Sequence, residues 1–267
     1  MDIDFPFVLT WAVLICGAIW LFDVLFLKPK RVAELAEGEE DQEPMLVEYA
    51  HSFFPVLLFV LVLRSFLAEP YQIPSESMVP TLEVGDFILV NKYAYGIRLP
   101  VLGTKVIDVG DPQPGDIMVF VPPHDSRYFI KRVIGVPGDH IRYENKAVYV
   151  NGERLGYELV GEVQRFHERF RQLYSVKEYT ETINGVRHAT YRRIDVDAGA
   201  PQEWTVGEGH YFMMGDNRDL SEDSREWGQA SESKIVGKAV AIWLHKEPGF
   251  AWPTFERSRW LQSSASE

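Results

Sequence analysis

The run from Phe5 to Leu27, FPFVLTWAVLICGAIWLFDVLFL, constrains this chain more than any other stretch. It exceeds the roughly 20 apolar residues that a bilayer-spanning helix needs. Its one charge, Asp23, lies near the end, where it could reach the interface. A cleaved leader would want a basic start and a small-residue cleavage site. Here Asp2 and Asp4 precede the run and KPKR follows it, so a retained anchor is expected. Lys28, Lys30 and Arg31 mark its cytoplasmic flank. The acidic tract AELAEGEEDQEP (33–44) reads as a solvated linker. A second apolar stretch, uninterrupted from Phe53 to Leu63, is short enough for a core helix. If Arg64 snorkels, it spans from about Tyr49 to Ala68. The expected division is an anchor at 1–27, a cytoplasmic loop at 28–50, an anchor at 51–69 and an extracytoplasmic region at 70–267.

The later part has another character. DFILVNK (86–92), DIMVFV (116–121), YFIKRVIG (128–135), HIRYE (140–144) and KAVYVNG (146–152) are strand-like and separated by turn signals. IRYENKAVYV predicts a hairpin turning near Glu144 and Asn145, and INGVRHATYRRIDV predicts another. The expected fold is a mainly β body of antiparallel, barrel-like sheets with a β insertion at about 141–205, behind two transmembrane helices. The formal net charge of −12 argues against nucleic acid as a partner. One cysteine, Cys16, excludes an intramolecular disulfide. The seven histidines are scattered, with no H-E-x-x-H and no C-x-x-C, so neither a metal nor a cofactor is expected.

Ser77 lies in a short polar stretch between Pro74 and Pro80, just past the second apolar run. A lone serine is usually a turn residue, and a serine nucleophile needs a base. No G-x-S-x-G elbow and no histidine in a triad context accompany it. Lysine can serve only if burial lowers its pKa. In YFIKRVIG, a period of two puts Phe129, Lys131 and Val133 on one face, and Arg132 on the other, where it can stay wet. Whether the lysine face is buried is open from this strand alone. GDNRDLSEDSREWG (215–228) follows the strand-like HYFMM and is rich in turn formers. Its charges, Asp216, Arg218, Asp219, Asp223 and Arg225, are close enough to form an ion-pair network.

These stretches, with FPVLLFVLVLRSF, PSESMVPTL, GDIMVF and YFIKRVIGVPGD in this order behind two apolar runs, resemble bacterial type I signal peptidase. The resemblance covers nearly the whole chain. It implies a membrane-bound serine endopeptidase of the bacterial inner membrane, multi-pass, its catalytic region on the periplasmic side. Its partners would be signal peptides of exported preproteins and membrane lipid, with the translocation machinery a further candidate. By resemblance, Ser77 is the nucleophile and Lys131 its general base. Ser75 joins the Ser77 N–H in an oxyanion hole, Ser221 orients the lysine, and Asp223, Arg225, Asp216 and Arg132 support the site. Ile73, Met78, Leu82, Ile88, Val119, Phe129 and Ile130 would line pockets that admit small side chains, giving cleavage of the Ala-x-Ala type.

Two positions depart from the family's pattern. Glu76 stands where a small residue is familiar and is expected in solvent; Leu220 replaces an Asn. Two other function classes compete with this reading. SESK (231–234) matches the S-x-x-K of penicillin-binding proteins, but no S-D-N or K-T-G accompanies it. A non-enzymatic envelope protein would lack processing activity. GFAWPTFERSRW interleaves aromatics with basic groups, as interfacial anchors do, whereas Trp243 is expected in the core.

Overall fold

The computed structural model describes residues 5–34, 41–66, 68–98, 105–167, 171–247 and 249–261. The chain divides into two compact units, Met1–Ala68 with Arg98–Lys105, and Glu69–Ile97 with Val106–Glu267.

In the first unit α1 (Phe5–Phe22) runs on through a π-helical turn (Asp23–Leu27) and a short helix (Lys28–Glu34), and α2 (Met45–Phe66) follows. Two stretches, Phe7–Ala33 and Met45–Val62, are long and apolar enough to cross a bilayer. Trp20 stacks on His51 and packs against Phe54, joining the helices. Asp23 opens the π-helical turn. It is buried, because Arg31 folds back onto it and onto Asp41. Residues 35–40 of the acidic tract and the Arg64 side chain lie outside the described residues.

The second unit is mainly β. Its strands are β1 (Ala68–Gln72), β2 (Asp86–Asn91), β3 (Ile117–Phe120), β4 (Phe129–Gly135), β5 (His140–Glu144), β6 (Ala147–Val150), β7 (Glu153–Arg154), β8 (Gly156–His167), β9 (Gln172–Ile183), β10 (Val186–Arg193), β11 (Gln202–Thr205), β12 (His210–Met214), β13 (Ala230–Ser231), β14 (Ile235–His245) and β15 (Arg259–Trp260). An eight-stranded curled sheet has the order β1-β2-β14-β3-β4-β12-β13, with β15 beside β14. From β2 onward its pairs are antiparallel. β8, β9 and β10 form a ribbon, and β11-β5-β6-β7 a four-stranded sheet.

Both predicted hairpins are present. The β5–β6 turn places Asn145 and Lys146 at positive φ (50° and 59°), and the β9–β10 turn does so with Asn184 and Gly185 (46° and 76°). Primed turns of this kind match the twist of paired strands, and Asn and Gly tolerate them best.

Alternation along β3 explains how the sheet is buried on both sides. Ile117 and Val119 join one core cluster with Ile73, Met78, Leu82 and Ile88, while Met118 and Phe120 join another with Val133 and Met213. A third cluster, Ile134, Ile141, Val148, Ile183, Phe212 and Met214, ties the curled sheet to the strands inserted between β4 and β12. Trp243 is 40% exposed, contrary to expectation, because the alternation of β14 turns Ile242 inward and Trp243 outward.

Candidate active site

The buried charge on β4 is held by its neighbours in the sheet. Lys131 is opposed by Met118 on β3, and its ammonium lies 5.4 Å from the Phe129 ring centroid. Only 4% of it is exposed. Desolvation pulls its pKa down to about 8, against the nearby Asp223, Glu222 and Asp216 carboxylates, which favour the charged form.

Ser77 sits in a single 3-10 turn, Glu76–Met78, entered from an extended Ser75. Met78 and Val79 are both fully buried, which anchors the turn to the core. Lys131 Nζ lies 2.7 Å from Ser77 Oγ and donates to it. Ser75 Oγ is 3.4 Å from the same oxygen. A nucleophile and a desolvated amine at hydrogen-bond distance can exchange a proton directly.

The loop after β12 closes over this pair. Asn217 N–H donates to the Ser77 carbonyl and its side-chain amide to the Glu76 carbonyl, both at 3.1 Å. Gly215 is hemmed in. A Cβ there would lie 2.2 Å from Ser221 Oγ and 2.4 Å from the Ser77 carbonyl oxygen. Sequence reasoning does not single out Gly215 or Asn217 beyond their place in the turn-rich GDN opening of the loop. Ser221 is buried close to Gly215, without a hydrogen bond to Lys131. Asp223 accepts from the Gly215 N–H and from Arg225.

Arg132 does not stay wet. It is 1% exposed and forks onto Asp216 at 2.7 and 2.9 Å, because the inserted strands cover the face of β4 that it shares with Ile134. Burial would raise the Asp216 carboxyl pKa, but Arg132 outweighs it and holds it below the usual range; Arg225 does the same for Asp223. Only Asp223 and Arg225 of the five loop charges pair with each other; Asp216, Arg218 and Asp219 take Arg132, Glu181 and Lys146. Sequence spacing within the loop therefore identified the charges but missed most of their partners.

Glu76 is not in open solvent either. Its side chain is 19% exposed, facing His167 and the Tyr174 hydroxyl, because the β8–β9 hairpin reaches the turn that carries Ser77. Leu220 packs against a cluster of Val79, Tyr174, Val176 and Tyr191. Of the apolar set, Ile73, Met78, Leu82, Ile88 and Val119 form one cluster with Ile130 at its edge, and Phe129 joins the cluster on the lysine side. In SESK, Lys234 is exposed and Ser231 bonds Ser233, so no activated pair forms there.

Residues 46–244 match the protein family described as signal peptidase, peptidase S26. The chain is 48% identical to signal peptidase I of Pseudomonas aeruginosa, over 95% of this chain and 94% of that one. It is 46% identical to the signal peptidase I of Pseudomonas fluorescens, over 95% and 94%. It is 34% identical to that of Haemophilus influenzae, over 90% and 87%. A chain matched across nearly its whole length at such identity, and over the segments that build the Ser77 site, belongs to the peptidase S26 family of signal peptidases.

Proposed function

We propose that this chain is a membrane-anchored signal peptidase I that cuts signal peptides from exported preproteins with Ser77 and Lys131. The observation that carries the reading is the 2.7 Å contact between Ser77 Oγ and a lysine amine that is almost wholly buried. Neutral Lys131 accepts the Ser77 proton as Oγ attacks the scissile carbonyl. The Ser77 N–H and the Ser75 hydroxyl receive the developing oxyanion, where fixed donors act most strongly. Lys131 then hands its proton to the leaving amine and activates the water that hydrolyses the acyl-enzyme. Asp216, Arg132, Asp223 and Arg225 keep the loop over the pair, with Ser221 beside it, and the apolar cluster near Ser77 restricts the substrate's flanking side chains to small ones.

Anchoring is supported by the outward-facing side chains of the two helices. Trp11, Leu14, Val56 and Phe59 are all more than half exposed, and so much apolar surface calls for lipid around it. By the basic flank at 28–31 the anchors are at 1–27 and 51–69, and the catalytic region from 70 onward faces the periplasm. The decisive experiment is incubation of the purified chain with a preprotein and weighing of the fragments. Two fragments are expected, divided after an Ala-x-Ala type sequence, and none with Ser77→Ala. Undiminished cleavage by that variant would refute the nucleophile.

A further inference from the structure

The ribbon β8–β10 carries charges that the proposed chemistry does not use. Glu181 and His188 are opposed across β9 and β10, and both turn inward. Glu181 is wholly buried and accepts two hydrogen bonds from Arg218, at 2.8 and 2.5 Å. His188 Nε2 lies 3.2 Å from Glu181 and 3.9 Å from Asp216.

Arg218 in turn organises the loop. Its Nε donates to the Gly215 carbonyl, and its own carbonyl accepts from Arg225, which grips Asp223. Asp223 returns to the Gly215 N–H. The ribbon's backbone joins in. Tyr191 N–H donates to the Asp216 carbonyl and its carbonyl accepts from Arg218 N–H, both at 2.9 Å.

Buried ion pairs are poor sources of stability, since apolar residues of equal volume usually serve as well. Their directional bonds are better suited to fixing one arrangement of a loop. We propose that Glu181 and His188 are positioning residues of the active site, and that the β8–β10 ribbon is the template on which the 215–225 loop is set against Ser77 and Lys131. Substrate touches neither residue; both act through Arg218 and Asp216.

This rests on the reading of Ser77 and Lys131 as the catalytic pair, which Ser77→Ala tests separately in the same assay. The experiment compares Glu181→Gln, Glu181→Asp and the double variant Glu181→Leu with Arg218→Met, as full chains, each shown to be folded by its thermal transition. Glu181→Gln should lower kcat about tenfold or more with KM within about twofold. The acidic limb of its pH profile should move to lower pH, as the Asp223 and Asp216 carboxylates that favour charged Lys131 withdraw. Glu181→Asp should recover part of kcat. If Glu181→Gln does not fold, the double variant decides, since it removes both members of the Glu181–Arg218 pair, although Arg192, 3.6 Å from Glu181, loses that carboxylate as well. A reduced kcat there supports the template. Parental kcat and pH profile in a folded Glu181→Gln, or in the double variant, overturn it.

Discussion

The pH dependence of cleavage tests the Ser77–Lys131 pair most directly. Only neutral Lys131 can take the Ser77 proton. With its pKa drawn from 10.5 to about 8, the neutral share is about one in ten at pH 7 and about one in a hundred at pH 6. An ordinary lysine would be neutral in only about one molecule in three thousand at pH 7. Burial therefore enlarges the neutral fraction by about 300-fold. The sign follows: kcat/KM rises about tenfold per pH unit on the acid side and levels off above the pKa. The assay is the initial rate on one preprotein from pH 5.5 to 9.5 at constant ionic strength, with about a hundredfold difference expected between pH 6 and the plateau. Lys131→Arg keeps a charged side chain at every accessible pH and should lose about 10²–10⁴-fold. Glu222, 56% exposed and paired with His124 at 2.9 Å, favours the charged lysine from outside the scaffold. Glu222→Gln should shift the acid limb down by a few tenths of a pH unit, less at high salt. A flat profile between pH 6 and 9, or substantial activity in Lys131→Arg, would refute the lysine as base.

Gly215→Ala pushes a methyl group against Ser221 and the Ser77 carbonyl, so kcat should fall roughly 5- to 150-fold in a folded protein; parental kcat would mean the loop can move aside. Asp216→Asn leaves Arg132 buried without its charge partner and should cost about 3–5 kcal/mol, read as a lower unfolding midpoint in denaturant. A precursor with Leu at either small position should be cut about tenfold more slowly than its Ala parent, and Ile130→Ala should narrow the gap; equal rates would remove the pocket assignment. Trp252 and Trp260, 90% and 78% exposed, should add to the quenching by brominated lipid that Trp11 and Trp20 of the anchor give in proteoliposomes, and their replacement by Phe should reduce the quenched fraction. Quenched intensity that does not fall on this replacement would mean that the face stays in water.

Much was legible because it is written locally. Apolar length marked α1 and α2, and turn chemistry marked the hairpins at Asn145 and Asn184. Period-two alternation put Phe129, Lys131 and Val133 on one face, and the sheet buries that face. The motif GDNRDLSEDSREWG marked a rigid loop after a strand, and it follows β12 with Asp216 and Asn217 fully buried.

Alternation states which side a residue faces and is silent on what covers that side. Arg132 was expected to be wet and is buried, because the inserted strands roof its face; Glu76 was expected in solvent and is mostly covered, because the β8–β9 hairpin reaches it. The charge partners were hidden too. Arg132 reaches Asp216 across 84 positions and Arg218 reaches Glu181 across 37, separations set by sheet order and register. Sequence alone determined the residue types, their local faces and the family they resemble. Only the tertiary structure decided that Lys131 is buried and its pKa drawn down, because desolvation comes from every element that packs around a group, and those elements are distant along the chain.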